Sequence, residues 1–386
     1  MKTIHIILLV DLPYFNTFET LYYEAKKDPR FKITVGMIKS HDKRCNTNQV
    51  ANVLKQHGIE YEMFFNETTG VEFDVKHLQP DLVFLQTPYD WDKIRHKYYS
   101  SHYLMQFAKV AYISYGGSII SYEHPPLKDM IKNNSFFKRA WSSFVENKLI
   151  AAQLNQYHPN QFKACGYMKL DKFLHYKSNP DFKFKQRDNF NKIIAYKPRW
   201  HVSQKGESNF FRDIEVLLKL IQSRQDVQLL FIEHPMLKHS IITNKCLTQE
   251  ELSKLWNVLE NTPNIKIINE DDFLDDIANA DIFVADYCST IIEAAILGVR
   301  IIYTPLNETL SEFGKEFSKY VLTASTSEQL QEFLQTSLQN NEKTDTAFIK
   351  VASNSNLFTF WQKICRRKTS YAKELLDYIY LKLHKE

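Results

Sequence analysis

The sequence predicts an α/β protein made of two doubly wound parallel-sheet domains, and three features carry that expectation. Short apolar runs alternate with longer helical stretches up to about residue 165. The alternation starts again beyond residues 176–191, where Pro180, several lysines and few aliphatic residues mark a linker. Residues 280–305 hold a whole strand–loop–helix–strand unit in one short stretch.

In the first half, residues 4–10 read as a buried strand. The run is too short to span a bilayer, is interrupted by His5 and carries no small-residue cleavage site, so it is expected to be neither anchor nor leader. Pro13 opens a helix to about Lys27, residues 31–38 form a second strand and 48–57 a second helix. Strands at 81–86 and 109–114 flank an aromatic-rich helix at 89–107. A strand at 140–144, a helix at 144–157 and a strand at 162–165 complete the domain. Beyond the linker, strands at 193–196, 227–233, 265–268, 282–285, 299–304 and 320–323 alternate with helices at 210–223, 248–259, 291–297 and 327–338. A terminal helical segment at 358–383, with Arg366-Arg-Lys368 and aromatic residues, is expected to pack back across the domains; the alternative is a basic-aromatic face on an anionic membrane surface.

Composition bounds the function. The 386 residues are 44% hydrophobic, enough for two cores, and a net charge of +4 is too mild to call for a nucleic-acid partner. Only nine glycines occur, and neither G-x-G-x-x-G nor G-x-x-x-x-G-K-[ST] is present, so any phosphate must be held by helix ends and side chains. The five cysteines (Cys45, Cys165, Cys246, Cys288, Cys365) are scattered, odd in number and without C-x-x-C, which points to a reducing, cytoplasmic compartment and away from zinc.

The 280–305 unit places the chemistry. Residues 282–285 form a buried strand ended by Asp286. Ser289 or Thr290 can cap the following helix, Glu293 lies one turn in, Gly298 is the left-handed stop, and Pro305 closes a second strand. Parallel sheets bind ligands at the carboxyl ends of their strands, and hydroxyls beside free N–H groups at a helix start suit a phosphate. Taken alone, the same residues also describe an ordinary capped helix. Lys197 and Arg199 follow the 193–196 strand, and His234-Pro235 follows the 227–233 strand, so charged and polar residues collect at one rim. A lone His at a strand end is commonly structural, but here it shares its layer with cations suited to phosphate. Two such domains facing a central cleft favour a substrate in two parts, a nucleotide-linked donor and an acceptor.

The series Gly166-Tyr-Met-Lys-Leu-Asp171, Ala195-Tyr-Lys-Pro-Arg-Trp200, Glu233-His-Pro235 and Ala285-Asp-Tyr-Cys-Ser-Thr-Ile-Ile-Glu-Ala-Ala-Ile-Leu-Gly298 resembles the CDP-glycerol glycerophosphotransferase family, the polymerases and primases of teichoic acids and related capsules. Wider GT-B glycosyltransferases and UDP-sugar 2-epimerases share the layout. The resemblance covers the second half. It implies a GT-B-like fold, a CDP-linked donor, no cofactor or metal, a cell-surface glycan or lipid-linked acceptor, and work at the inner face of the cell membrane. Carried over, His234 and Arg199 would face the donor diphosphate, with Ser289 and Thr290 at its phosphates. Lys197, Pro235, Asp286 and Glu293 complete the donor set.

The first half departs from that family. Its usual W-H-G-T motif is represented by Ser114-Tyr-Gly-Gly-Ser-Ile119, with Tyr115 in place of the histidine expected as base and Gly116, Gly117 and Ser118 as the acceptor-binding turn. A phenol near pKa 10 is a poor base at neutral pH. Asp11, after the first strand, and His124 are therefore candidate bases alongside Tyr115. The domain expectation is 1–175 for the acceptor, 176–356 for the donor and 357–386 packing back on the N-terminal domain. The expected reaction is transfer of a glycerol-phosphate, alditol-phosphate or sugar unit from a nucleotide donor to a hydroxyl; a UDP- or CMP-sugar glycosyltransferase, or a UDP-sugar 2-epimerase, is the alternative.

Overall fold

The computed structural model describes residues 3–39, 46–89, 97–114, 125–169, 171, 190–268, 273–306, 309–339 and 369–384. The chain forms two compact units, one from residues 1–117, 122–179 and 367–386, the other from 118–121 and 180–366.

The first unit is built on a parallel sheet of β1 (Ile4–Val10), β2 (Phe31–Met37), β3 (Glu62–Met63), β4 (Leu82–Leu85), β5 (Lys109–Ile113), β6 (Ser142–Val145) and β7 (Phe162–Ala164), ordered β3-β2-β1-β4-β5-β6-β7. Every residue of β1 is buried, as a central strand covered on both faces requires. His5 is accommodated there by Thr34 Oγ1 and the Leu78 carbonyl, each at 3.0 Å, and burial lowers its pKa.

The second unit repeats the plan with β8 (Lys192–Tyr196), β9 (Val227–Ile232), β10 (Ile265–Ile268), β11 (Ile282–Ala285), β12 (Arg300–Tyr303) and β13 (Leu322–Thr323), all parallel and ordered β10-β9-β8-β11-β12-β13. The helix Phe210–Ser223 buries Phe210, Ile214, Leu217 and Ile221, the stripe that 3.6-residue periodicity brings to one face. Phe210 meets Phe231 and Trp256 in an aromatic core. Strand order reverses beside β1 in one sheet and beside β8 in the other, and at such reversals the strand ends leave a crevice for ligand.

Several expected elements differ. The helix assigned to Pro13 begins at Asn16, because Tyr14 N–H turns back to the Leu12 carbonyl at 2.8 Å. The aromatic helix at 89–107 reduces, among the described residues, to Ser101–Leu104. Tyr99 there is a core residue whose single hydroxyl proton is shared between the carbonyls of Phe73, at 2.8 Å, and Phe64. The 144–157 helix is shorter, Lys148–Leu154, because β6 runs to Val145. Short helices at Ser135–Arg139, Leu237–Thr243 and Leu274–Asn279 carry too few turns for periodicity to reveal them.

The helix Tyr371–Leu383 packs on the first unit through Tyr371, Ala372, Leu375, Leu376 and Ile379. Arg30 pairs with Asp377 at 2.6 Å, and Tyr378 meets the rings of Trp141 and Phe144 at 6.4 and 5.9 Å. Its first turn is held from outside the helix. The buried carboxylate of Asp171 accepts the N–H groups of Tyr371 (2.7 Å) and Ala372 (2.6 Å), while Ser370 caps Lys373 N–H. Gly166 has φ +88°, and a Cβ there would lie 2.0 Å from the Tyr371 ring. Both ends of the Gly166-Tyr-Met-Lys-Leu-Asp171 motif thus seat this helix.

Candidate active site

The crevice of the second sheet lies between β8 and β11, and a single carboxylate organises it. Asp286, directly after β11, is fully buried. Its Oδ1 accepts the Arg199 N–H at 2.5 Å, and its Oδ2 accepts the Ser208 hydroxyl at 2.6 Å and the Asn209 N–H at 3.0 Å. Both arms of the loop at 197–209 are thereby tied to the end of β11. Burial pushes the Asp286 pKa up to about 7, against the lowering by these donors. Asn209 extends the tie to β12 by donating to the carbonyls of Thr304 (3.0 Å) and Pro305 (2.9 Å). The loop's outer bend is held by Ser240 Oγ and Asn244 Nδ2 at Val202.

On this frame sit the cations. Lys197 is buried, with its N–H on the Val284 carbonyl and its Nζ 4.2 Å from the Phe273 ring centroid. The Arg199 guanidinium lies 5.3 Å from the Tyr287 ring and forms no ion pair or hydrogen bond among the described residues. Arg199 thus holds its place through its backbone while its charge faces a ring, an arrangement that leaves its N–H fork available for an anion. Trp200 stacks on His234 at 5.8 Å. His234 Nδ1 accepts the Met236 N–H at 3.1 Å, which puts the proton of the neutral ring on Nε2. Pro235 is exposed, and the preceding Glu233 is occupied by the Trp256 indole and Lys238.

After Asp286 the chain enters the helix Thr290–Ile296, and the expected side-chain cap is absent. Ser289 is already in helical conformation (φ −62°, ψ −26°), so its hydroxyl cannot reach back over the first turn, and no side-chain cap bond forms. Glu293 is buried within the helix. Gly298 ends it at φ +81°, with Val299 N–H on the Ala294 carbonyl and Gly298 N–H on that of Ala295, the left-handed stop expected from the sequence. Lys197, Arg199, His234, Asp286, Ser289 and Thr290 therefore share the carboxyl-end rim of one sheet. The parts that sequence reasoning missed are Ser208 and Asn209, the far arm of the loop.

In the first unit, Asp11 is buried at the end of β1. Its N–H and that of Leu12 donate to Gln86 Oε1, at 2.8 and 2.9 Å, and Gln86 Nε2 donates to the Tyr14 carbonyl at 2.5 Å. Tyr115, Gly116, Gly117, Ser118 and His124 lie outside the described residues. Among the described residues, no cluster of three or more His, Cys, Asp or Glu side chains could hold a metal ion, and no helix is long and apolar enough to cross a membrane.

No family model matches the sequence, and no curated protein does. The fold does have solved counterparts. A Listeria monocytogenes protein assigned as a UDP-N-acetylglucosamine 2-epimerase superposes with a TM-score of 0.67 at 15% identity, over 100% of this chain and 98% of that one. The Neisseria meningitidis UDP-GlcNAc 2-epimerase, solved with UDP-GlcNAc bound, gives 0.60 at 13% identity over 97% and 99%. A Rickettsia africae glycosyltransferase gives 0.51 at 15% over the whole of both chains. The fold is α/β and GT-B-like.

Proposed function

We propose that this protein acts on a nucleoside-diphosphate sugar, cleaving the bond between the sugar and the diphosphate and transferring the sugar to a hydroxyl. The observation that carries the reading is the rim at the β8–β11 reversal, where Lys197, Arg199 and His234 gather around a loop fixed by Asp286. As the nucleotide leaves, negative charge builds on its terminal phosphate. Arg199 offers a planar fork of donors to that phosphate, Lys197 a second positive charge, and the neutral His234 ring an N–H at Nε2. The hydroxyls of Ser289 and Thr290 suit the remaining phosphate oxygens. Asp286 acts through the backbone of Arg199 and not on the ligand. The structural likeness to UDP-sugar enzymes supports a UDP-linked donor. The motif series quoted above favours a second reading, in which a CDP-linked glycerol or alditol phosphate is transferred and attack falls on phosphorus.

One experiment separates these readings. The protein is incubated with UDP-GlcNAc, UDP-glucose or CDP-glycerol, each with and without methyl glycosides as acceptors, and the products are resolved. UDP released only with acceptor supports sugar transfer, CMP release supports the second reading, and an isomerised sugar without acceptor identifies an epimerase. No turnover of any donor, together with no binding of UDP by calorimetry, would refute the nucleotide site.

A further inference from the structure

In the first unit, a second set of chemistry-bearing residues collects at the amino ends of β6 and β7, the opposite end of the sheet from Asp11, Gln86 and Glu146. The two strands are parallel neighbours, so the segments that lead into them, 131–141 and 155–161, meet there. The first segment joins two helices. Pro125–Asn133 ends, Asn134 Oδ1 accepts the Phe136 N–H at 2.9 Å, and Ser135–Arg139 begins, which leaves Lys132 and Lys138 each in the last turn of its helix. The second segment is a short loop closed by Asn155, whose side chain donates to the Phe162 carbonyl at 2.9 Å and accepts the Phe162 N–H at 2.8 Å. Both segments line one cleft of about 460 Å³.

His158 ties the two segments together. It is only 7% exposed, its ring packs against Phe137 and Phe162 at 5.9 and 6.3 Å between centroids, and its Nε2 lies 2.7 Å from the Ile131 carbonyl. A carbonyl can only accept, so Nε2 carries the proton of the neutral ring and Nδ1 is a bare acceptor. Nδ1 has no hydrogen-bond partner among the described residues and is not sealed from solvent, and the ring lines the cleft. Lys132 and Lys138 line it too, both exposed and neither in an ion pair among the described residues. No described carboxylate does. A lysine in a last turn is ordinary by itself, because it complements the helix dipole. Two such lysines beside a fixed imidazole, with no acid to pair them, form a pocket that lacks its anion. Phe137 and Tyr157 add aromatic surface, and the volume falls within the roughly 300–1,000 Å³ of small-molecule sites.

We propose that this cleft binds a small organic phosphate, with its phosphate at Lys132, Lys138 and His158 and its carbon part against Phe137 and Tyr157. A phosphate monoester carries about −1.5 to −2 charges at neutral pH, which two lysines match. A single carboxylate would leave one lysine uncompensated. Lysine suits the task as a point charge on a flexible stem that follows the phosphate oxygens. One proton shared between Nδ1 and a phosphate oxygen completes the histidine, whichever of the two holds it. Because the Ile131 and Phe162 bonds already fix the ring and the loop, little order has to be gained on binding.

The test is calorimetric titration of the full chain with phenyl phosphate, with inorganic phosphate and benzoate as the ring-less and phosphate-less controls. Phenyl phosphate should bind more tightly than either control. Lys132→Gln and Lys138→Gln should each weaken it about fivefold, the upper end for an exposed charge pair. Lys148→Gln makes the same charge change at an exposed position outside the cleft and should stay within about twofold of wild type. His158→Gln keeps an N–H for the Ile131 carbonyl but loses the ring nitrogen, and should weaken binding about tenfold. Should that buried substitution not fold, the two exposed lysine variants decide the matter. No heat with millimolar phenyl phosphate overturns the proposal, and so does benzoate binding as tightly or Lys148→Gln weakening binding as much as the cleft lysines do. Binding lost in Arg199→Ala but unchanged in Lys132→Gln and Lys138→Gln would put the phosphate on the second unit and overturn it equally.

Discussion

Asp286→Asn isolates the strut of the donor rim. The wild-type carboxylate takes three donors, the N–H groups of Arg199 and Asn209 and the Ser208 hydroxyl. An amide of the same shape has one acceptor oxygen and one NH2. If the oxygen faces Arg199, the NH2 confronts Asn209 N–H; if the amide is turned over, it confronts Arg199 N–H. Either way a backbone donor is left buried without an acceptor, at a cost of about 1–3 kcal/mol. The loop moves with it, and because Arg199 is placed through its backbone, the UDP dissociation constant should rise about tenfold, equivalent to about 1.4 kcal/mol.

The pH dependence supplies a sharper signature. The folded Asp286 keeps its proton to about pH 7, chiefly because burial penalises the charge. The unfolded residue releases its proton near pH 3.9. Between those values the folded state binds more protons, so stability falls as pH rises through the window, by about 4 kcal/mol over the roughly three units. Asp213, raised to about 6 by burial, contributes in the same direction but is common to both proteins. Urea unfolding of the second unit at pH 5, 6, 7 and 8 should therefore show wild type losing stability more steeply than the variant as pH rises. Parallel stability–pH curves for the two proteins would refute the reasoning.

Two other perturbations address separate parts of the molecule. Arg199→Ala and His234→Ala should each abolish turnover while leaving thermal unfolding within about 0.5 kcal/mol of wild type, since both side chains sit at the rim and not in the core; wild-type rates in both would remove them from the donor site. Asp171→Ala orphans the first-turn N–H groups of Tyr371 and Ala372. It should cost the first unit about 2 kcal/mol, read as a lower urea midpoint, with Asp171→Asn retaining part of the loss.

How much of this the sequence announces depends on where a residue's partners come from. The Gly298 stop, the 282–285 strand and the charged ends of β8 and β9 are legible because each is a local pattern, a run of β-formers followed by a polar residue. Asp286 is legible as a strand end, but its role is not, since Ser208 and Asn209 lie 78 and 77 residues away in sequence. Glu146 was hidden by a boundary. Read as part of a helix over 144–157 it looks like a surface residue, whereas β6 runs to Val145 and the helix starts at Lys148, leaving Glu146 at the strand end beside Ser114. Gly166 and Asp171 carry a motif signal, but their partner Tyr371 lies about 200 residues on, beyond the reach of any periodicity.

The two units solve one problem with clamps of different charge, a neutral amide in the first and a carboxylate in the second. In each, the loop after the first strand is tied across the strand-order reversal by one buried side chain, Gln86 from the end of β4 in the first unit and Asp286 from the end of β11 in the second. Asp286 needs only to accept, from two N–H groups and a hydroxyl, beside a rim of cations. Gln86 must both accept, from Asp11 and Leu12, and donate, to the Tyr14 carbonyl, on a rim that already holds Asp11 and Glu146. A carboxylate at 86 would lose the donated bond, face the Tyr14 carbonyl oxygen and sit among like charges. Gln86→Glu should therefore destabilise the first unit by about 2 kcal/mol or more at pH 7. Part of that loss should be regained as pH falls and the new carboxyl takes up a proton, which lets it donate again. A Gln86→Glu protein as stable as wild type at pH 7, with an unchanged slope against pH, would show that the amide's donor is dispensable and that the charge difference between the two clamps has no energetic basis.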